Sequence, residues 1–242
     1  TPALTNANLT CYGSPELFTI TVHPTPIVTP PANLTYCAGT TVPSLSFSGT
    51  ANQYIWTNSN PGIGLPSAGQ GDLNSFNALN QSIATVNATI TITPYFNQGL
   101  NSCQGLSQSF QMAILPIPSV VASSNQLICN GALTDTITFS GPVVGAQYQW
   151  SNSLPNIGLS SSGVGNILPF TALNNTNSQT VAQITALPVY MQNNVSCNGT
   201  IDTLLIQINP TPVVNNPGPQ VYCAQDSSNL LIFNGTATNY SW

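Results

Sequence analysis

Six cysteines, five carboxylates and one histidine are the residues of this 242-residue chain that could do covalent or acid–base chemistry. The cysteines fall at two alternating kinds of position. Cys37, Cys129 and Cys223 are spaced by 92 and 94 residues, and Cys11, Cys103 and Cys197 repeat the same intervals. There is no Cys-x-x-Cys pair, and His23 is the one histidine, so no set completes a zinc site. Disulfides are the better reading, and they imply an oxidising, extracytoplasmic compartment. The favoured bridges lie within repeats, Cys37–Cys103 and Cys129–Cys197, with the partners of Cys11 and Cys223 outside the chain. Two alternatives stay open. Cys11–Cys37, Cys103–Cys129 and Cys197–Cys223 are each 26 apart and would staple successive units. If the two cysteine positions lie at opposite poles of a sandwich, bonds between neighbouring domains also become available. Spacing does not choose among them.

Acid–base catalysis is poorly served. A paired-carboxylate hydrolase needs two acids on one cleft. Glu16, Asp72, Asp135, Asp202 and Asp226 are scattered, and the repeat does not reproduce them. His23 lies in a linker, without a repeated counterpart to activate a serine. Calcium would want clustered carboxylates. No catalytic, cofactor-binding or metal-ligating residue is therefore assigned. Trp56 and Trp150 could stack on sugar rings, but each sits in an alternating strand after a repeated cysteine, where a sandwich keeps its core tryptophan. Asn-x-Ser/Thr triplets, Asn80 and Asn174 among them, are frequent in a chain this rich in Asn, Ser and Thr and carry little information.

The composition excludes more. Lys and Arg are absent and charged residues make up 2%, against about 25% in ordinary soluble domains. Nucleic-acid binding, a basic membrane-surface helix and a lysine-dependent phosphate loop all need cations that do not exist here. At 41% hydrophobic residues the chain is not of disordered type. No apolar stretch is long enough for a transmembrane segment.

Internal repetition governs the architecture. Pro24/Pro26, Pro116/Pro118 and Pro210/Pro212 mark linkers, and Trp56, Trp150 and Trp242 step by 94 and 92. Both copies carry Tyr-x-Trp (54–56 and 148–150), Ile-Gly-Leu (63–65 and 157–159) and a Ser-x-Gly-x-Gly tail. The expected division is 1–26, the last part of a preceding repeat; 27–118 and 119–212, two complete repeats; and 213–242, the first part of a following one. A window from a longer array is the expectation. Period-two alternation at Leu45/Phe47, Tyr54/Trp56, Val86/Ala88/Ile90/Ile92 and Phe110/Met112/Ile114 predicts strands, as do Ile137/Phe139, Tyr148/Trp150 and Leu204/Ile206/Ile208. The predicted fold class is all-β, tandem Ig-like or PKD-like β-sandwiches in an extended array.

The unit resembles the PKD-like and Ig-like tandem repeats of giant Bacteroidetes cell-surface adhesins of the SprB-like gliding-motility type. The resemblance rests on Ile128-Cys-Asn-Gly131, the Tyr-x-Trp-[Ser/Thr]-Asn segments, Ile-Gly-Leu, Ser196-Cys-Asn-Gly199 and the linker ending at Pro212. It implies type IX secretion, outer-membrane display and a stalk or fibre in adhesion or gliding. Asp135-Thr136-Ile137 and Asp202-Thr203-Leu204 look like that phylum's O-glycosylation motif, which makes Thr136 and Thr203 candidates. The function expected is a structural and adhesive repeat segment of an extracellular filament. Its expected partners are neighbouring repeats and, because no lysine guards the strand edges, other chains associating laterally. The alternative is a carbohydrate-binding or spacer module of a secreted polysaccharide-degrading enzyme.

Overall fold

The computed structural model describes residues 1–241; Trp242, the third repeated tryptophan, lies outside them. Strands form where apolar and polar residues alternate. Along Val86–Gln98 the side chains of Ala88, Ile90 and Ile92 turn inward, and the intervening threonines stay partly exposed. Phe110, Met112 and Ile114 do the same in Gln108–Leu115, and Leu204, Ile206 and Ile208 in Asp202–Asn209.

Each repeat builds one six-stranded sheet. In the first repeat its path runs from Leu34–Cys37 to Gln108–Leu115, Val86–Gln98, Gln53–Asn58 and Ala68–Gln70. Asn101–Gln104 folds back on the end of Val86–Gln98 as a hairpin. The second repeat reproduces this with Gln126–Cys129, Asp202–Asn209, Thr180–Gln192, Gln147–Asn152 and Ser162–Val164, and Val195–Asn198 as its hairpin strand. Most pairs are antiparallel, but the first strand joins the last in parallel, matching Cys37 with Leu115 and Cys129 with Asn209.

The facing layer is made of fragments. In the first repeat Val28–Thr29 pairs with Ser48–Gly49, Thr41–Val42 with Phe76–Asn77, and Leu45 bridges Leu73. Val28, Val42, Phe47 and Leu73 from this layer close on Trp56, Ile90, Ile92, Met112 and Ile114 of the sheet. A second, separate core repeats the arrangement around Trp150. The class is thus an all-β sandwich with one continuous sheet and one broken one.

The repeated motifs have local causes. Pro61–Ile63 is a single 3-10 turn closed by Gly64 at φ 94°, and Gly158 closes the matching turn at the same φ. The left-handed residue between them lets Ile63 and Leu65 both drop into the core. Gly69 and Gly163 stand opposite Trp56 and Trp150, and a Cβ there would lie 2.1 and 2.3 Å from the indole rings.

The chain ends reproduce pieces of the unit. Ala3–Asn6 and Leu9–Tyr12 form the hairpin, with Cys11 opposite Leu4. Val214–Asn215 pairs with Asn234–Gly235 as Val28–Thr29 pairs with Ser48–Gly49. Among the described residues no helix is long and apolar enough to cross a membrane.

Candidate functional site: the joint between repeats

The most distinctive chemistry in the molecule lies where the first repeat meets the second. Parallel pairing brings Cys37 beside Leu115, at the pole from which the chain leaves for the second repeat. Thr85 reaches that pole too, because the adjoining Val86 pairs with Ile114. From the second repeat the hairpin formed by Thr180–Gln192 and Val195–Asn198 reaches back. Its base lies at the near pole, where Ala122 donates its N–H to the Asp202 carboxylate.

The two poles are joined covalently. Cys37 and Cys197 form a disulfide across a sequence separation of 160 residues, with Cα atoms 5.6 Å apart. Thr85 Oγ1 donates to Gln192 Oε1 at 2.6 Å, and Asn193 Nδ2 donates to Thr35 Oγ1 at 3.2 Å. Asn193 and Asn194 turn the hairpin with φ of 50° and 62°, a conformation that asparagine tolerates better than most residues. Glycine lets the linker come close. Gly199 lies against the Pro118 carbonyl, where a Cβ would clash at 1.7 Å, and Gly105 lies against the Pro26 carbonyl at 1.8 Å.

This geometry corrects the favoured pairing. Cys37 does not bond Cys103, and Cys129 does not bond Cys197. Within one repeat the first strand ends at the far pole and the hairpin at the near one, so the two cysteines face opposite neighbours. The bond between neighbouring domains, held open by the sequence, is the one that forms; the 26-residue staples are not.

The remaining chemistry-bearing residues are dispersed. Among the described residues no group of three or more His, Cys, Asp or Glu side chains gathers. Asp135 lines a shallow cleft of about 400 Å³ with Thr136 and Gln126. Its backbone N–H and carbonyl bond the Gln126 side chain. Asp202 spends its two oxygens on the N–H groups of Ala122 and Thr203. Thr136 and Thr203 are both exposed. His23, read as an exposed linker residue, is half-buried, with its ring 5.3 Å from that of Phe96.

Asp72 shows why the acids do not repeat. Its Oδ1 accepts from the Phe47 N–H at 3.0 Å, and Asn166 does the same for Phe139 at 3.0 Å. The site needs an acceptor, not a charge. Asp72→Asn is accordingly expected to keep stability within about 0.5 kcal/mol. Asp72→Ala should lose about 1–2 kcal/mol because it orphans a half-buried N–H. Urea midpoints of the two variants check this.

Trp56 and Trp150 are 5% and 8% exposed and belong to the cores, so neither offers a face to a sugar ring. Sequence reasoning missed the polar residues that brace the sheets. Asn58 and Asn152 are buried, and their Nδ2 groups donate to the carbonyls of Leu65 and Leu159. Asn80 and Asn174 bind the carbonyls of Ile114 and Ile208, each at 2.7 Å. Recurrence of asparagine at matched positions in both copies was the available signal.

No protein-family model and no curated protein matches the chain. Among solved structures, it is similar at 12% identity to mouse cadherin-23 EC22-24, with a TM-score of 0.36, covering 78% of this chain and 67% of that one. Human protocadherin-24 EC1-2 is similar at 12% identity, with a TM-score of 0.35, over 77% of this chain and 99% of that one. The N-terminal four Ig domains of Dscam1 isoform 1.9 follow at 11% identity and a TM-score of 0.33, over 77% and 46%. At these values the fold and the joint stand on the chain's own geometry.

Proposed function

We propose that this chain is a structural and adhesive segment of an extracellular filament, with units at 27–118 and 119–212. The observation that carries the reading is the joint. A disulfide and two side-chain hydrogen bonds fix one sandwich end-on to the next, and such a contact serves to hold spacing and direction along an array. Repeats that contact mainly their neighbours can be added without redesign. Each contributes about 40 Å, the span of a ten-residue strand and its turns. The cystine favours an oxidising location, and the absence of Lys and Arg leaves trypsin-like proteases no cleavage site.

Outer-membrane display, type IX secretion and glycans on Thr136 and Thr203 belong to the same proposal through the family resemblance; the exposure of both threonines supports the last of these. No catalytic role is assigned. The carbohydrate-binding alternative is weakened by the burial of Trp56 and Trp150. Lateral association would have to use short edges, since the outermost strands of the first sheet, Leu34–Cys37 and Ala68–Gln70, have four and three residues. Short edges discourage such pairing.

Electron microscopy of cells labelled with antibody to this chain tests the proposal. Thin surface threads with a regular repeat of about 40 Å are expected. Compact particles or intracellular label would overturn it, and thread width reports any bundling.

A further inference from the structure

Four cysteines remain unbonded: Cys11, Cys129 and Cys223 are exposed and Cys103 is half-buried. Two of them occupy the positions that bond at the joint, each in the other repeat. Cys129 faces Asn209 across a parallel pair as Cys37 faces Leu115. Cys103 faces Phe96 across a hairpin as Cys197 faces Tyr190. The second repeat thus presents the first-strand half of a joint at its far pole, and the first repeat presents the hairpin half at its near pole.

The surroundings are prepared as well. Gly105 donates its N–H to the Pro94 carbonyl as Gly199 does to Pro188. It also sits against the Pro26 carbonyl as Gly199 sits against that of Pro118. Gln98 takes the hairpin place of Gln192, and Gln179 takes the place of Thr85. The Asn193–Thr35 hydrogen bond has no equivalent, because Gly99 and Leu127 stand at those positions. Exposed apolar groups stand there instead: Leu100, in the hairpin turn three residues before Cys103, is fully exposed, and Leu127, two residues before Cys129 on the same strand, is 65% exposed.

We propose that Cys103 and Cys129 are open halves of further joints of this kind. Cys129 bonds a hairpin cysteine of a unit docked at its pole, and Cys103 bonds a first-strand cysteine of a unit docked at the other. Every boundary in the array is then closed by one disulfide from unit to unit, and none lies within a unit. Cys11, in a hairpin, and Cys223, at the first-strand position, belong to the same two classes. The inference rests on the array reading above.

Each bond forms from two thiols, which lose two protons and two electrons. The oxidant is a disulfide-bearing thiol–disulfide oxidoreductase. A thiolate of the array attacks its disulfide to give a mixed disulfide and one oxidant thiolate. The second array thiolate then attacks the array sulfur of the mixed disulfide, the bond to the oxidant breaks, and the oxidant leaves as a dithiol.

The test uses the protein from its own cells, with free thiols alkylated at lysis and the chain cut by pepsin without reduction. Linked peptides should show Cys37–Cys197, Cys103 joined to a first-strand cysteine of another unit, and Cys129 joined to a hairpin cysteine of another unit. Denaturing electrophoresis without reductant separates the two sources of that unit. A single band places it in the same polypeptide; a ladder that collapses on reduction places it in a second copy. Alkylated Cys103 or Cys129, a Cys103–Cys129 bond within one chain, or any bond inside a repeat overturns the proposal. In a Cys37→Ser variant, Cys197 should become alkylatable; a new Cys129–Cys197 bond would count against the rule. Surface threads with free Cys103 and Cys129 would sink this inference and leave the filament reading standing.

Discussion

Trp56→Ala is expected to unfold the first repeat and leave the second folded. The indole is 5% exposed and lies between the sheet and the broken layer, among Phe47, Ile63, Ile92 and Met112. Removing so large a buried ring costs about 3–5 kcal/mol, a large share of the stability of a domain this size. The ring cannot be replaced by inward collapse of its neighbour, because Gly69 has no side chain to move. Hydrogen exchange should show protection lost across Gln53–Asn58, Val86–Gln98 and Gln108–Leu115 and kept across Thr180–Gln192, since the two cores share no residue. Trp56→Phe should cost much less. The indole N–H is buried without a partner, so its loss offsets part of the lost packing. Equal loss of protection in both repeats would contradict the independence of the cores.

The second large effect is expected at Asn174. Its Nδ2 donates to the carbonyls of Ser178 and Ile208, and its Oδ1 accepts from the N–H and the hydroxyl of Thr176. It is 4% exposed, so alanine would remove all four of these bonds, among them the second donor to the Ile208 carbonyl, which otherwise faces only its ladder partner Thr180. A loss of about 2–4 kcal/mol follows from four hydrogen bonds, each worth about 0.5–1.5 kcal/mol net. Urea denaturation should resolve it as an earlier transition of the second repeat alone. Asn174 opens an Asn-x-Thr triplet, but its burial makes the side chain a brace and keeps it from an oligosaccharide. Neutral activity of this kind runs through the molecule: amides and hydroxyls hold the turns that ion pairs hold elsewhere, which gives the composition its physical sense.

Much of the core was legible because alternation is a local property. Val86, Ala88, Ile90 and Ile92 share one face by period two, and Trp56 and Trp150 follow from their strands. The cysteine pairing was not legible. It depends on whether the first strand runs parallel to the last, and four residues such as Leu34–Cys37 carry no mark of direction. Reversed, that strand would have put Cys37 at the hairpin pole of its own repeat. The buried asparagines were hidden for another reason: in a chain rich in amides, the few that bind a core carbonyl look like those that face water. The facing layer was read as a sheet, yet pairs of two residues such as Thr41–Val42 with Phe76–Asn77 interrupt it.

The disulfide at the joint also decides how tension travels. Through this bond a pull on the backbone at Cys37 passes straight to Cys197, so residues 38–196, most of both cores, are bypassed by that pull. Unfolding either core then releases only short stretches outside the loop, such as Asp202–Asn209, and about 500 Å of contour stays locked at roughly 3.4 Å per residue. The cores bear the shape of this segment, and two sulfur atoms bear its strain.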